Sequence, residues 1–462
     1  MTHPIKSKDR DAIIQALNAG VVPRLGLRHI QVGRAREVAA LVSDVERVSD
    51  AGSAFRVVVG EYGAGKTFFL NLVRLVALEK GLVVVHADLA PDRRLHASGG
   101  QARSLYAELM RNMATRTRPE GGALASVVER FVGKSHDDAA RQGRETSDLI
   151  REKLAPLEEL VSGYDVSAVI TEYARASDAG DEARKLAALR WLRGEWSTRT
   201  EARAALGVVR TIIDDAGVYD HLKLMAAFVR LAGYKGMLVV LDEMVNLYKL
   251  QSAQARAANY EQILRILNDV LQGGAAGLGV VMGGTPEFLM DTRRGLYSYA
   301  ALQSRLAENS FARSGLVDLS GPVIRLQSLT PEDLYVLLAN IRTVFAGGDP
   351  ARHLVPDDAL TAFMHHCSTR IGDAYFRTPR NTVKAFVNLL SVLEQNPGSR
   401  WTDLLDEVPV AADEMAAQDT TAIDGITGSD DEGRDDEGTR TSATEGATAG
   451  GDADDDLASF RL

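Results

Sequence analysis

One cysteine, Cys367, stands in a chain of 462 residues, so an intrachain disulfide and a cysteine-held zinc cluster are both excluded. A single thiol in so long a chain points to a reducing compartment, and the cytoplasm is the expected location. Also missing is any apolar run near the ~20 residues that a membrane helix needs, so no membrane partner is expected. The first residues, Met1 to Ala19, are polar and mixed in charge rather than shaped as a secretory leader. Aromatic residues are sparse at 6%, yet apolar residues as a whole make up 45% and charged ones 25%, the balance of an ordinary globular protein. A chain this long exceeds one ordinary core, and two or three folded units are expected.

The net charge of −10 is unevenly placed. Between Ala411 and Leu462 there are 15 acidic and three basic residues, so the acidity belongs to the C-terminal end and the remainder is near neutral. The body therefore carries no overall field for or against nucleic acid. From Val410 onward Asp, Gly, Ala and Thr dominate with few apolar residues, which predicts a disordered acidic tail over 410–462.

Hydrophobic spacing predicts helices over Asp9–Ala19 and Arg34–Val48, then a buried strand at Phe55–Val59, a helix at Thr67–Leu78 and a second strand at Leu82–Val85. Strand, helix and strand in that order make a parallel unit. From Gln101 to Tyr234 nearly everything has helical spacing, including Ala125–Phe131, Leu149–Val161, Glu182–Trp196 and Val218–Leu231. That stretch is too long for a simple crossover and reads as one sheet connection plus a helical insertion. Strands return at Met237–Leu241, Leu278–Met282 and Val323–Leu326, with a helix at Asn259–Leu271. Three helices near Pro331, Pro356 and Pro379 then form a small all-helical domain. The expected organisation is an N-terminal helical segment with an adenine-side loop over 1–33, a core over 34–326 with its insertion at about 120–215, a helical domain over 327–409, and the tail.

Two motifs carry the chemistry. Gly60-Glu61-Tyr62-Gly63-Ala64-Gly65-Lys66-Thr67 fits G-x-x-x-x-G-K-[ST] at every fixed position. Glycines let such a loop turn its N–H groups inward around phosphates, and the following helix, with Phe68 in its first turn, adds free N–H groups and a positive dipole end. Lys66 is expected to neutralise the terminal phosphates and Thr67 to ligate Mg²⁺. Far along the chain, Met237-Leu238-Val239-Val240-Leu241 ends in Asp242-Glu243. Two adjacent carboxylates at the end of a buried strand repel each other and lose hydration, and a cation offsets both effects. Asp242 is expected in the Mg²⁺ shell through water, and Glu243 as the base that orients and activates the attacking water.

Further polar groups take candidate roles. The strand Leu278–Met282 runs into Gly283, Gly284 and Thr285, whose hydroxyl could meet the γ-phosphate or the attacking water. Arg305 is a candidate arginine finger offered to a neighbouring subunit, with Arg293 and Arg294 as rivals. Arg380 could reach the nucleotide from the helical domain, with Arg377 as its rival. The segment His29–Arg34, with Gly33 and Arg34 at its end, could wrap the adenine. His365, His366 and Cys367 point in different directions on one helix and make a poor metal site.

These residues resemble an ATPase of the AAA+ type: an adjacent Asp-Glu pair, an extra strand between the two nucleotide motifs, a polar residue on the next strand and a small helical lid. A closer resemblance is to the BrxC/BrxD P-loop family of BREX phage-defence systems. It rests on Val21–Arg24 with Gly33-Arg34, Gly60–Leu70, Ala87–Leu95, Leu241–Met244, Gly283–Phe288 and Tyr375–Arg380, and it spans about Asp9 to Leu405. The resemblance implies an α/β, AAA+ type P-loop NTPase with a parallel five-stranded sheet in the order 5-1-4-3-2 and a helical lid. It implies ATP with Mg²⁺ as ligands and a place in a bacterial defence or stress operon. The partners it suggests are further copies of the chain or operon-encoded proteins, and DNA.

Three functions compete at this level: an ATP-driven motor or switch, a nucleotide-gated scaffold with slow turnover, and a DNA-binding adaptor that uses ATP only to fold. Glu243 favours the first two. A winged helix after the helical domain has no room before the tail, so DNA contact would fall to the insertion, rich in arginines such as Arg184, Arg190, Arg193, Arg199, Arg203 and Arg210. The chain ends in an acidic run followed by Leu457, Phe460 and Leu462, which resembles a tethered docking peptide.

Overall fold

In the computed structural model, residues 4–309, 318–372 and 379–405 are described. The acidic tail with its apolar tip, Arg377 and the run Tyr375–Thr378 lie outside them. Five strands, β1 (Ala54–Gly60), β2 (Val83–Asp88), β3 (Met237–Asp242), β4 (Leu278–Gly284) and β5 (Val323–Leu326), form one sheet in the order β2-β3-β4-β1-β5. Every pairing is parallel. This is the expected order, read from the other edge.

The strands read as near-continuous apolar runs because both faces are covered. Alternate residues of β1 enter two different cores. Phe55, Val57 and Val59 face one side, together with Val83, Val85, Val239, Leu241, Val280 and Met282. Ala54 and Val58 face the other, with Val84, Leu238, Val240, Val281 and Ile324. The second face is closed by the helices Ala35–Ser49 and Lys66–Glu79 through Leu41, Val45, Phe69, Leu70 and Val73. The first face is closed by the helix Ala253–Leu271 and by the long helical stretch between β2 and β3. Tyr106, Phe131, Tyr173, Trp191 and Phe228 of that stretch belong to the same continuous core as the sheet.

Local chemistry sets two helix ends inside that stretch differently from the spacing. The helix expected to run to Trp196 stops at Leu192, because Gly194 takes a left-handed φ of 69° and closes the end through its N–H to Trp191 O. Trp196 lies beyond it, donating its indole N–H to Ala187 O under the guanidinium of Arg190. The helix expected to reach Val161 ends at Glu158, and Val161 is exposed in the turn that follows.

A separate apolar core gathers the helices Pro331–Phe345, Asp357–Ile371 and Pro379–Gln395. The rings of Phe363 and Phe386 meet within it tilted at 57°, their centres 5.2 Å apart, and Cys367 is buried there, its thiol pushed up to about 12 by desolvation. The N-terminal helix Ser7–Asn18 joins this group, with Ile13 and Ile30 buried in the same core. Thr330 and Asp333 form a reciprocal capping box around Pro331 at the start of its first C-terminal helix.

One buried ion pair ties β1 to the helix beneath it. Arg56 and Asp44 are 5% and 4% exposed, with Nε to Oδ2 at 2.5 Å and Nη2 to Oδ1 at 3.1 Å. The same guanidinium donates to the carbonyls of Leu319 and Gly321, just ahead of β5. Replacing Arg56 with Met would leave the Asp44 carboxylate buried with its main partner gone. The expected cost is about 3 kcal/mol, read as a lowered urea midpoint. Adding Asp44→Leu to Arg56→Met should recover a substantial part of it.

Candidate functional site

In a parallel sheet all strands end on the same edge, and here that edge collects Gly60, Asp88, Asp242 and Gly284. β1 delivers the chain into the glycine-rich loop. Gly63 and Gly65 turn it with φ of 80° and 77°, the left-handed region that glycine enters freely. Gly65 is also the N-cap of the helix Lys66–Glu79, and no side chain caps that end. Its first-turn N–H groups lack intrahelical partners. The Lys66 ammonium lies within the loop, donating to Gly60 O at 2.7 Å and Glu61 O at 3.0 Å. Burial lowers its pKa, against the pull of Asp242, Glu243, Glu61 and Glu287.

β3 brings the acidic pair to the same place. Thr67 Oγ1 donates to Asp242 Oδ2 at 2.8 Å, across 175 positions of sequence. The other oxygen of Asp242 accepts from the N–H of Glu243 at 2.9 Å. Desolvation pushes the Asp242 carboxyl up, outweighing the two hydrogen bonds and Lys66 that hold it down. Glu243 is also raised, first by desolvation and then by repulsion from Asp242 and Asp88. Glu243 is exposed, and its backbone holds φ at 56°, a conformation that costs a non-glycine residue free energy and gathers at functional sites. Gly283 supplies the clearance: a Cβ there would sit 2.6 Å from Asp242 Oδ1 and 2.7 Å from Leu70 Cδ1.

The remaining candidates divide. Thr285 stands at the end of β4 and caps the short helix Pro286–Met290, its hydroxyl accepting from Phe288 N at 3.4 Å. Arg380 reaches the loop: its Nη1 donates to Tyr62 Oη at 3.3 Å and its guanidinium lies 5.8 Å from the centre of that ring. Gly33 and Arg34 stand beside the loop as well, with Arg34 donating to the carbonyls of Ala64, Gly65 and Gln327. Phe68, on the first turn after the loop, packs against the separate helical core. Arg305 does not join them. It is exposed on the helix Ala300–Leu306 and donates to Ala301 O of its own helix. Of its rivals, Arg294 donates to Tyr248 O and Leu250 O, while Arg293 is exposed.

Two acidic residues escaped the sequence reading. Asp88 ends β2 directly opposite Asp242 in the ladder, and a polar residue ending a buried strand was the available signal, the same one that marked Asp242. Glu287 adds its charge at Lys66, a proximity that only the folded sheet creates.

The donor set suits a divalent cation that arrives with phosphates. Among the described residues no group of three His, Cys, Asp or Glu side chains could hold a metal. One hydroxyl and one carboxylate in contact, beside a glycine-rich loop with free N–H groups, match the way Mg²⁺ binds through few protein oxygens plus phosphate oxygens. The repulsion and desolvation that raise Asp242 and Glu243 are the effects such a cation would reverse.

A family model described as BREX system ATP-binding protein BrxC/D matches residues 5–408, which includes every residue of this cluster. None of the curated proteins matches the chain.

Raised carboxyl pKa values make the site a stability liability. Between about pH 4 and the raised values, the folded chain holds protons that the unfolded chain has lost. Stability therefore falls as pH rises through that window and stays lower above it. Asp242→Asn should raise the melting temperature of the nucleotide-free protein by a few degrees at pH 7.5, and the gain should vanish near pH 4. Thermal unfolding at the two pH values checks this.

Proposed function

The chain belongs to the BrxC/D family of BREX system ATP-binding proteins, and from that premise we propose that it binds ATP with Mg²⁺ at the Lys66–Thr67–Asp242–Glu243 cluster and hydrolyses it in phage defence. The observation that carries the reading is the 2.8 Å contact between Thr67 and Asp242, which unites the two sequence motifs.

The loop amides and the uncapped helix start receive the phosphates, and the Lys66 ammonium turns from the carbonyls of Gly60 and Glu61 to the terminal ones. Thr67, directly, and Asp242, through water, would hold the cation. Bound Mg²⁺ would neutralise charge on the β- and γ-phosphate oxygens. Glu243 orients a water against the γ-phosphorus and takes its proton. As the oxygen–phosphorus bond forms, the β–γ bridge breaks and ADP leaves. A carboxylate raised above its ordinary value is the better base near neutral pH. Thr285, at the adjoining strand end, is placed to steady the γ-phosphate or the water.

The helical group on the C-terminal side serves as the AAA+ type lid. Its support is that Arg380 and Phe68 connect it to the loop from opposite partners, one arginine reaching in and one aromatic reaching out. A change at the phosphates would then alter the lid and, through it, a partner protein or DNA. Arg305, exposed and donating to Ala301 O of its own helix, is the group this chain offers to the site of a second copy.

Glu243→Gln is expected to retain binding of ATP with Mg²⁺ while turnover falls about 100-fold or more, and Lys66→Ala is expected to lose binding. Equilibrium titration with a fluorescent ATP analogue and release of inorganic phosphate separate the two. A chain that binds ATP and whose slow turnover is indifferent to Glu243→Gln would be a nucleotide-gated scaffold instead.

A further inference from the structure

The hydrogen-bonding partners of Arg34 differ from those of a nucleotide ligand. Its Nη2 donates to Ala64 O and, at 3.3 Å, to Gln327 O, and its Nη1 donates to Gly65 O at 3.5 Å. Ala64 and Gly65 are the two residues that precede Lys66. Their carbonyls are the reverse side of the peptide units whose N–H groups face a bound phosphate in loops of this kind. The approach is close enough that a Cβ on Gly65 would lie 3.3 Å from Nη1, a second reason for glycine there besides its φ of 77°.

The backbone that delivers the guanidinium is itself constrained. Gly33 and Arg34 are consecutive left-handed residues, with φ of 60° and 59°, and Arg34 caps the helix Ala35–Ser49 from that conformation. Gly33 lies beside the start of the first helix of the C-terminal helical group, where a Cβ would come 3.2 Å from Asp333 Oδ1, so there is little room for a side chain at that turn. An arginine at φ 59° is a costly choice where glycine would be at ease. Burial lowers its pKa, with Glu37 and Asp333 pulling the other way. No carboxylate among the described residues forms an ion pair with it at 4 Å or less, so its close partners are the carbonyls.

Resting on the nucleotide site proposed above, we infer that Arg34 is a positioning residue of the phosphate loop: it holds the Ala64 and Gly65 carbonyls outward so that the loop's N–H groups stay turned inward for the β- and α-phosphates of a nucleoside di- or triphosphate. The guanidinium reaches Gly65 O from Nη1 and both Ala64 O and Gln327 O from Nη2, a rigid two-pronged fork that the single flexible ammonium of a lysine at this position does not reproduce. Because the brace acts on the loop and not on the γ-phosphate, it serves ADP and ATP alike.

The test uses the full chain with Arg34→Gly and Arg34→Lys. Glycine relieves the left-handed backbone while removing the brace, so Arg34→Gly should melt, without nucleotide, no lower than wild type. Its affinities for ATP and for ADP, each with Mg²⁺, should both fall about tenfold or more, a loss of about 1.4 kcal/mol or more. Arg34→Lys should show the same paired loss. Hydrogen exchange at the loop amides should quicken in both variants. Wild-type affinity in Arg34→Gly would overturn the inference, as would a loss confined to ATP, which would place the guanidinium on the γ-phosphate. An affinity loss matched by a lower melting temperature in both variants would reduce Arg34 to a structural cap and overturn it too. Wild-type protein that binds neither nucleotide would instead sink the nucleotide site, and the brace with it.

Discussion

The hydroxyl of Thr67 and the carboxylate of Asp242 are 175 positions apart in the chain and 2.8 Å apart in space. Their meeting depends on the sheet. β1 and β3 are not neighbours; β4 lies between them, and the parallel registers of β1 on β4 and β4 on β3 bring their C-terminal ends to one edge. The contact also depends on what is missing from β4, since any side chain at Gly283 would displace the carboxylate. The buried strands that make the edge rigid also strip water from Asp242, so the fold stores an unfavourable charge where a cation can relieve it. This conflict between apolar packing and local charge is the usual mark of a functional position.

The inner side of the glycine-rich loop faces this charged edge, and its outer side is tied to the rest of the protein. Arg34 donates to two of its carbonyls, Arg380 lies against Tyr62, and Phe68 packs, half-buried, against the core shared by the N-terminal helix and the C-terminal helices. Those helices have an apolar core distinct from those of the sheet. The glycine-rich loop is therefore met from two sides, by Arg34 at the start of a helix that covers the sheet and by the C-terminal helices through Arg380 and Phe68. A loop held from outside by these residues would, with a ligand on its inner side, be a natural point of coupling, because each contact biases the conformation available to the other.

Much of this was legible in the sequence because it is local. The loop is recognisable from eight consecutive residues. The strands announce themselves as short apolar runs, and the sheet order followed from the family resemblance and agrees with the structure. Asp242 and Glu243 stood out as charges at the end of a buried run. What was not legible depends on partners distant in sequence. Nothing near Arg34 says that its guanidinium meets Ala64, and nothing near Asp44 says that its partner is Arg56 on a buried strand. Asp88 carried the same signal as Asp242 but had no adjacent second acid to draw notice. The helix ends at Leu192 and Glu158 were overrun because apolar spacing continues past the glycine that stops the first and into an exposed turn after the second.

The central claim is that Thr67 and Asp242 act on one metal-bound triphosphate. A double-mutant cycle on the Mg²⁺ dependence of ATP affinity, with Thr67→Val, Asp242→Asn and the pair, measures this directly. The account predicts strong non-additivity, the second substitution costing little once the first has removed the cation's contribution. Strictly additive losses, or ATP binding indifferent to Mg²⁺ in the wild-type chain, would contradict it.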